Sequence, residues 1–175
     1  MILFYKARGP YKSFTNFSPD PVHIYGRTWK TSEAAFQAAK FPHRPDITKR
    51  IWEAPTPREA ANLGRTRSFP LRPDWDLPPP KEVLEGLPRL NPDDGVQRIE
   101  PPERVFSRVK DTVMYEVCLA KFQQNKEAGK ALVDTFPEAI VEDSSIDGYW
   151  GWGAAQVGQN KLGRLLMLVR IRLIG

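Results

Sequence analysis

The 175-residue sequence predicts a mainly α-helical fold with a few short strands, folded as one domain. Three observations carry that expectation. Apolar residues recur at three- and four-residue spacing between Ser107 and Asn125. Helix start and stop signals bracket residues 31–41 and 56–64. The strand-like runs are each only about four residues long.

In chain order, Ile2-Leu3-Phe4-Tyr5 reads as a strand, and Val22-His23-Ile24-Tyr25 followed by Gly26-Arg27-Thr28-Trp29 reads as a hairpin. Between them lies a loop of aromatic, amide and hydroxyl groups, Phe14-Thr15-Asn16-Phe17-Ser18-Pro19. Residues 31–41 form a helix with Thr31 or Ser32 as N-cap and Pro42 closing it. Thr56-Pro57-Arg58-Glu59 supplies an N-cap, a first-position proline and a capping-box glutamate, with Gly64 as the stop. The amphipathic helix from Ser107 to about Asn125 follows, then a shorter one around Lys126–Thr135. A strand at Ala139–Glu142 and a last helix from about Asn160 complete the set.

Residues 70–104 hold nine of the 17 prolines, including Pro78-Pro79-Pro80. Proline at that density permits little regular structure beyond a helical turn at Lys81–Leu87. The stretch reads as an excursion from the core and not as a domain boundary, because neither flank is long enough to fold alone.

Composition narrows the function. One cysteine, Cys118, leaves no disulfide framework and no cysteine-based metal cluster. No apolar run approaches the ~20 residues of a bilayer span, and the first residues lack the features of a signal peptide. The expected location is intracellular, in the cytoplasm, or the nucleus of a eukaryote. The net charge of +5 favours a polyanionic partner, and no acidic residue follows Asp147 while Lys161, Arg164, Arg170 and Arg172 do. HExxH, P-loop, GxGxxG and GxSxG motifs are absent, which removes the main support for metalloprotease, NTPase, dehydrogenase and serine hydrolase readings.

Two constellations could carry chemistry. On the first predicted helix Glu33, Gln37 and Lys40 share one stripe, opposite Ala34, Ala35, Ala38 and Ala39. A polar stripe on a closely packed helix must find partners or line a cavity. The alternative is a glutamate that merely favours the helix start and a lysine on a solvent face. The second constellation is Asp147-Gly148-Tyr149-Trp150-Gly151-Trp152-Gly153, continuing to Gly158-Gln159-Asn160-Lys161. Its glycines would let backbone approach a ligand, its tryptophans would stack on a base or sugar, and Asn160 would cap a helix start suited to phosphate. The alternative there is a turn with core tryptophans. A third piece, Arg72-Pro73-Asp74-Trp75-Asp76, sets an aromatic between carboxylates. Carboxylates, tryptophans and a phosphate-friendly helix end suit glycosidic-bond chemistry, in which a developing oxocarbenium ion needs an anionic face and the leaving nitrogen a proton.

Six ordered stretches resemble the NADAR (YbiA-like) family. They are Ser13–Pro19, Gly26–Phe41, Ala60–Arg65, Arg72–Trp75, Val109–Met114 with Lys121-Phe122, and Asp147–Gly153 with Gly158–Gly163 and Leu166-Met167. The resemblance covers nearly the whole chain. It implies a compact, single-domain, mainly helical fold and N-glycosidic hydrolysis without metal or cofactor. Family substrates include ribosylamino-pyrimidine phosphates of riboflavin synthesis and ADP-ribosylated guanine. Two departures stand out: Glu33-Ala34 replaces the familiar glutamate-histidine pair, and a proline-rich insertion occupies about 77–108.

The expected catalytic groups are Glu33, Lys40 and Asp147. Asn16, Phe17, Trp75, Tyr149, Trp150, Gly151 and Asn160 are expected to position base, ribose and phosphate. The basic C-terminal region and the tryptophans favour ADP-ribosylated guanine, in DNA, RNA or nucleotides, as the substrate of a monomeric enzyme. A riboflavin-intermediate hydrolase and a non-catalytic ADP-ribose reader are the alternatives.

Overall fold

Helices supply most of the regular structure, and the strands occur only in pairs. The computed structural model describes residues 1–175. Its helices are α1 (Ser32–Ala38), α2 (Pro45–Glu53), α3 (Pro57–Arg65), α4 (Lys81–Glu85), α5 (Pro102–Val105), α6 (Val109–Gln124), α7 (Lys126–Val133) and α8 (Lys161–Ile174). Its strands are β1 (Ile2–Phe4), β2 (Val22–Ile24), β3 (Arg27–Trp29) and β4 (Ile140–Glu142). α6 packs along α8, while α1, α2 and α3 pack on one another and α1 also reaches α6. β2 and β3 form the expected hairpin, with Val22 opposite Trp29. β1 runs parallel to β4, with Ile2 opposite Ile140. No helix is long and apolar enough to cross a membrane.

Local chemistry explains the helix starts. Thr31 is the N-cap of α1: its hydroxyl accepts from Ala34 N–H at 3.2 Å. Thr56 caps α3 in the same way, accepting from Glu59 N–H at 3.2 Å and donating to Glu59 Oε2 at 2.7 Å. The whole of α1 is buried, as its alanines imply.

Three features depart from the sequence reading. α2 is unforeseen, because Arg44 at its N-cap makes no side-chain cap bond and only Pro45 marks the start. Gly64 does not stop α3 but lies within it, where a Cβ would come 2.1 Å from Gln37 Oε1. The residue is small because α3 packs tightly against α1 there.

The third departure is the proline-rich segment, which does not stand off the core. Leu90, Val105 and Phe106 are fully buried. Leu90 and Glu100 form an antiparallel bridge. Gly95, at φ +99°, presses against the backbone of Pro137 and Ala139. The buried guanidinium of Arg170 donates to Asp94 O at 2.6 Å, and Arg164 pairs with Glu100 at 3.2 Å. Short irregular pieces thus replace regular elements, but they cover α8 and fill core positions.

Candidate active site

The polar stripe of α1 is turned inward. Glu33 is 5% exposed, and Gln37 Nε2 donates to its Oε1 at 2.7 Å. Glu33 N–H donates to Asn16 O at 3.0 Å, which ties the helix start to the 15–18 loop. The close approach at Gly64 brings the end of α3 across the stripe. Arg65 Nη2 lies 3.6 Å from Glu33 Oε1, and Lys40 Nζ donates to Gly64 O at 3.3 Å. Burial pushes the Glu33 carboxyl above its ordinary range, against the hydrogen bond from Gln37 and the charges of Arg65 and Lys40. Burial also brings Lys40 down to about 8, opposed by Glu33 but helped by Arg65, Lys110 and Arg67. A buried carboxyl group on α1 and, in the turn that closes the helix, a lysine brought down to about 8 are therefore held close in sequence.

Lys40 opens into a cavity of ≈ 420 Å³ that Arg65, Arg67, Trp75 and Lys110 also line. The 72–76 segment closes its floor. Arg72 N–H donates to Lys40 O at 2.9 Å, and Lys110 N–H donates to Trp75 O at 3.2 Å. The two aspartates flanking Trp75 are occupied: Asp74 by Arg72 at 2.6 Å, Asp76 by Lys110 at 2.8 Å and Arg108 at 3.3 Å. They brace the loop and take no part in a carboxylate pair.

The tryptophans do not offer two free stacking faces. Trp75 is 4% exposed, its ring centroid 5.2 Å from Phe36, with Lys40 Nζ at 5.9 Å. Trp150 is half-buried and meets Phe36 edge-on at 5.6 Å. Phe36 thus joins both indoles into one aromatic wall under α1. Tyr149 is fixed by its hydroxyl, which donates to the buried Asp111 Oδ1 at 2.6 Å. Its ring lies beneath Lys110, at 4.4 Å from Nζ.

Other expected site residues serve the framework. Asn16 is buried, accepting from Ser32 Oγ at 3.0 Å and donating to Met114 Sδ at 3.2 Å, while Phe17 beside it is partly exposed. Lys121 holds this loop from below, donating from a fully buried Nζ to Thr15 O at 2.9 Å and Ser18 Oγ at 2.8 Å. Gly151 does not approach a ligand; a Cβ there would lie 2.7 Å from Glu142 O, so its smallness lets the loop pack on β4. Asp147 Oδ1 accepts from the N–H groups of Tyr149 and Trp150, each at 2.8 Å, which folds the loop back on itself.

The expected side-chain cap at the start of α8 is not made. Asn160 makes no cap bond; it sits at φ 47° and spends its amide on Ile140 O and Glu142 N–H. Lys161 is 1% exposed, donating to Arg104 O, Val105 O and Ser107 Oγ, with Asp111 at 3.5 Å. Arg170 is fully buried. Two of the four C-terminal cations, Lys161 and Arg170, are thus internal struts, while Arg164 is partly exposed and Arg172 exposed.

The NADAR domain pattern matches residues 3–174. The chain belongs to the NADAR family. It is 37% identical over 171 residues to an N-glycosidase of Nostoc punctiforme, covering 97% of this chain and 90% of that one. It is 34% identical to the N-glycosidase YbiA of Escherichia coli, over 99% of this chain and 88% of the relative. The solved NMR structure of Escherichia coli YbiA superposes with a TM-score of 0.74 at 35% identity, covering 99% of this chain and 84% of that chain. A chloroplastic riboflavin biosynthesis protein of Zea mays, PYRR, is 32% identical across the whole of this chain, which spans 25% of its length.

For this NADAR domain, one acidic group with a strongly shifted carboxyl, outside the lining of the cavity beside Lys40, escapes the sequence reading. Glu142, the last residue of β4, is pushed up to about 7 by burial first, then by the charges of Asp147 and Glu33. A three-residue strand carries no periodicity by which its inward face could be recognised.

Proposed function

We propose that this chain is an N-glycosidase that hydrolyses a ribose C1–N bond, with ADP-ribosylated guanine as substrate. The observation that supports the activity is a buried Glu33, paired with Arg65, on the helix whose closing turn sets Lys40 in a cation-lined cavity. Arg65, Arg67 and Lys110 are placed to hold the phosphates. The preference for the larger substrate rests on the shape of the site. The ≈ 420 Å³ cavity adjoins a second, open one of ≈ 700 Å³, and the two share Thr66 and Phe69. Phe69, with the guanidinium of Arg50 at 5.6 Å from its centroid, gives the far end an aromatic face and a further cation. A diphosphate with a nucleoside at each end would use the full trough. A ribosylamino-pyrimidine phosphate would fill only the inner half, and the name of the maize relative favours that second reading. Mass spectrometry of products from both substrates decides between them: release of free guanine nucleotide from the ADP-ribosylated form is expected, and cleavage of the pyrimidine compound alone would return the smaller substrate.

In this mechanism the sugar ring opens, neutral Lys40 adds to C1, and the C1–N bond breaks to release the amine, which takes its proton from Glu33; water then hydrolyses the Lys40 Schiff base to free sugar and lysine, returning a proton to Glu33. Lys40→Arg keeps the cation but removes the nucleophile. It is expected to lower turnover by several orders of magnitude, and borohydride added with substrate should leave a mass adduct on Lys40 of the unaltered protein. An arginine variant with most of its rate, and no adduct, would leave the chemistry to Glu33. EDTA should not change the rate, since the reaction draws on carboxyl and amine groups only; a loss restored by Mg²⁺ or Zn²⁺ would defeat this scheme.

A further inference from the structure

Arg65 belongs to two sites at once. It is the last residue of α3, and its side chain is 63% exposed while that of Glu33 is buried. Its Nη2 lies 3.6 Å from Glu33 Oε1, the same oxygen that accepts from Gln37 Nε2 at 2.7 Å. At 3.6 Å the guanidinium is charge-paired with the carboxyl but is beyond hydrogen-bond range. Arg65 also lines the ≈ 420 Å³ cavity, with Lys40, Arg67 and Lys110. Of these cations Arg65 alone pairs with Glu33, since Lys110 is taken by Asp76 and Lys40 donates to Gly64 O. The backbone beneath Arg65 is fixed. Gly64 lies so close to α1 that a Cβ would come 2.1 Å from Gln37 Oε1. A fixed helix end therefore carries a long, exposed side chain that spans from the buried carboxyl to the cavity, held by one long ion pair of the kind that contributes little.

We propose that Arg65 is a positioning residue that couples phosphate binding to Glu33: a substrate phosphate entering the cavity draws the guanidinium off the carboxyl, and Glu33 then keeps the proton that the leaving amine takes. This rests on the C1–N hydrolysis reading above. Both candidate substrates carry a phosphate on the ribosyl group, so the coupling serves either one. A phosphate accepts two parallel N–H···O bonds from a guanidinium, which outweigh a single ion pair at 3.6 Å on the open side of the fold. Burial favours the protonated Glu33 carboxyl, against the hydrogen bond from Gln37 and the charges of Arg65 and Lys40. Of those three Arg65 is the one free to leave, because Gln37 is 1% exposed and Lys40 is tied to Gly64 O. No cation of α2, α6, β2 or β3, which also pack on α1, reaches ion-pairing distance of Glu33. Glu142 of β4, itself raised by burial and then by the charges of Asp147 and Glu33, opposes the Glu33 charge in return. A buried carboxylate that loses its cation takes up a proton from solvent, so the acid is loaded as the substrate is seated.

The test uses the ribosylated amine with and without its phosphate, for the guanine and the pyrimidine compound alike, and inorganic phosphate as a separate probe. Hydrolysis of the phosphate-free compound by the unaltered protein should rise about ten-fold or more when inorganic phosphate is added. Arg65→Gln should cleave that compound several-fold faster than the unaltered protein does without phosphate, and should gain nothing from added phosphate. On the phosphorylated compound the same variant should show a KM raised about ten-fold. A guanidinium that merely steadies a buried charge predicts the opposite, an equal loss on both compounds. Carboxyl carbon NMR gives a readout apart from rate: the titration of Glu33 should move to higher pH when inorganic phosphate is added to the unaltered protein. Equal losses, no stimulation by phosphate, or an unmoved Glu33 titration would each overturn the coupling. Cleavage of the phosphorylated compound without that stimulation would leave the N-glycosidase reading standing alone. Cleavage of none of the compounds by the unaltered protein would overturn that reading, and this proposal with it. If the glutamine variant does not fold, the stimulation and the titration of the unaltered protein still decide.

Discussion

Glu33→Gln is expected to lower turnover by about 10²–10⁴-fold while the chain stays folded. The substitution keeps the shape of a side chain that is 5% exposed, and an amide oxygen can still accept from Gln37 Nε2. It removes the proton carrier and the negative charge that would face an oxocarbenium-like sugar. Folding should not suffer, because a buried charge is replaced by a neutral group of the same volume. The lost partner, Arg65, is mostly exposed, so its ion pair contributes little to stability. Single-turnover release of the amine product, with a thermal melt on the same sample, measures both quantities. A variant that keeps its rate would remove Glu33 from the mechanism, and one that melts far below the unaltered protein would make it a structural residue.

Deleting residues 78–103 is expected to leave a chain that does not fold. Truncating one fully buried leucine costs about 2–5 kcal/mol, and the deletion removes Leu90 altogether. It also takes the Asp94 carbonyl from the buried guanidinium of Arg170 and the carboxylate of Glu100 from Arg164. An orphaned buried donor adds about 1–3 kcal/mol, more when it is charged. Against the ~5–15 kcal/mol that holds an ordinary domain together, little remains. Circular dichroism through a temperature ramp should show no cooperative transition; a sharp melt near that of the full chain would mean the segment is dispensable after all.

The α1 stripe was readable because a helix repeats, and Glu33 and Gln37 one turn apart must share a face; Lys40 follows in the turn that closes the helix, which ends earlier than its sequence predicts. The capping signals at Thr31 and Thr56 were readable because their chemistry is local. What could not be read depends on contacts between distant residues. Gly64 looks like a helix stop until Gln37 of α1 is seen beside it. Lys161 and Arg170 look like surface cations until the carbonyls of Arg104, Val105 and Asp94 are seen to receive them. The prolines of 70–104 forecast irregular backbone, but irregular backbone can still bury Leu90 and Phe106. Trp75 and Trp150 carried an ambiguity that only the position of Phe36 resolves.

The parallel pairing of β1 with β4 has a consequence for biosynthesis. Ile2 and its partner Ile140 are separated by most of the domain, so Ile140 is made about 7–28 seconds later at ~5–20 residues per second. Until then β1 has an open edge, and Glu142, at the end of the same strand pair, does not yet exist. Asn160, which anchors Glu142, arrives later still. A nascent chain stalled before that point holds Glu33 and Lys40 but lacks the strand that pairs with β1. The β1–β4 pairing is therefore completed only once both ends of this domain have been made, and not progressively as the helices form.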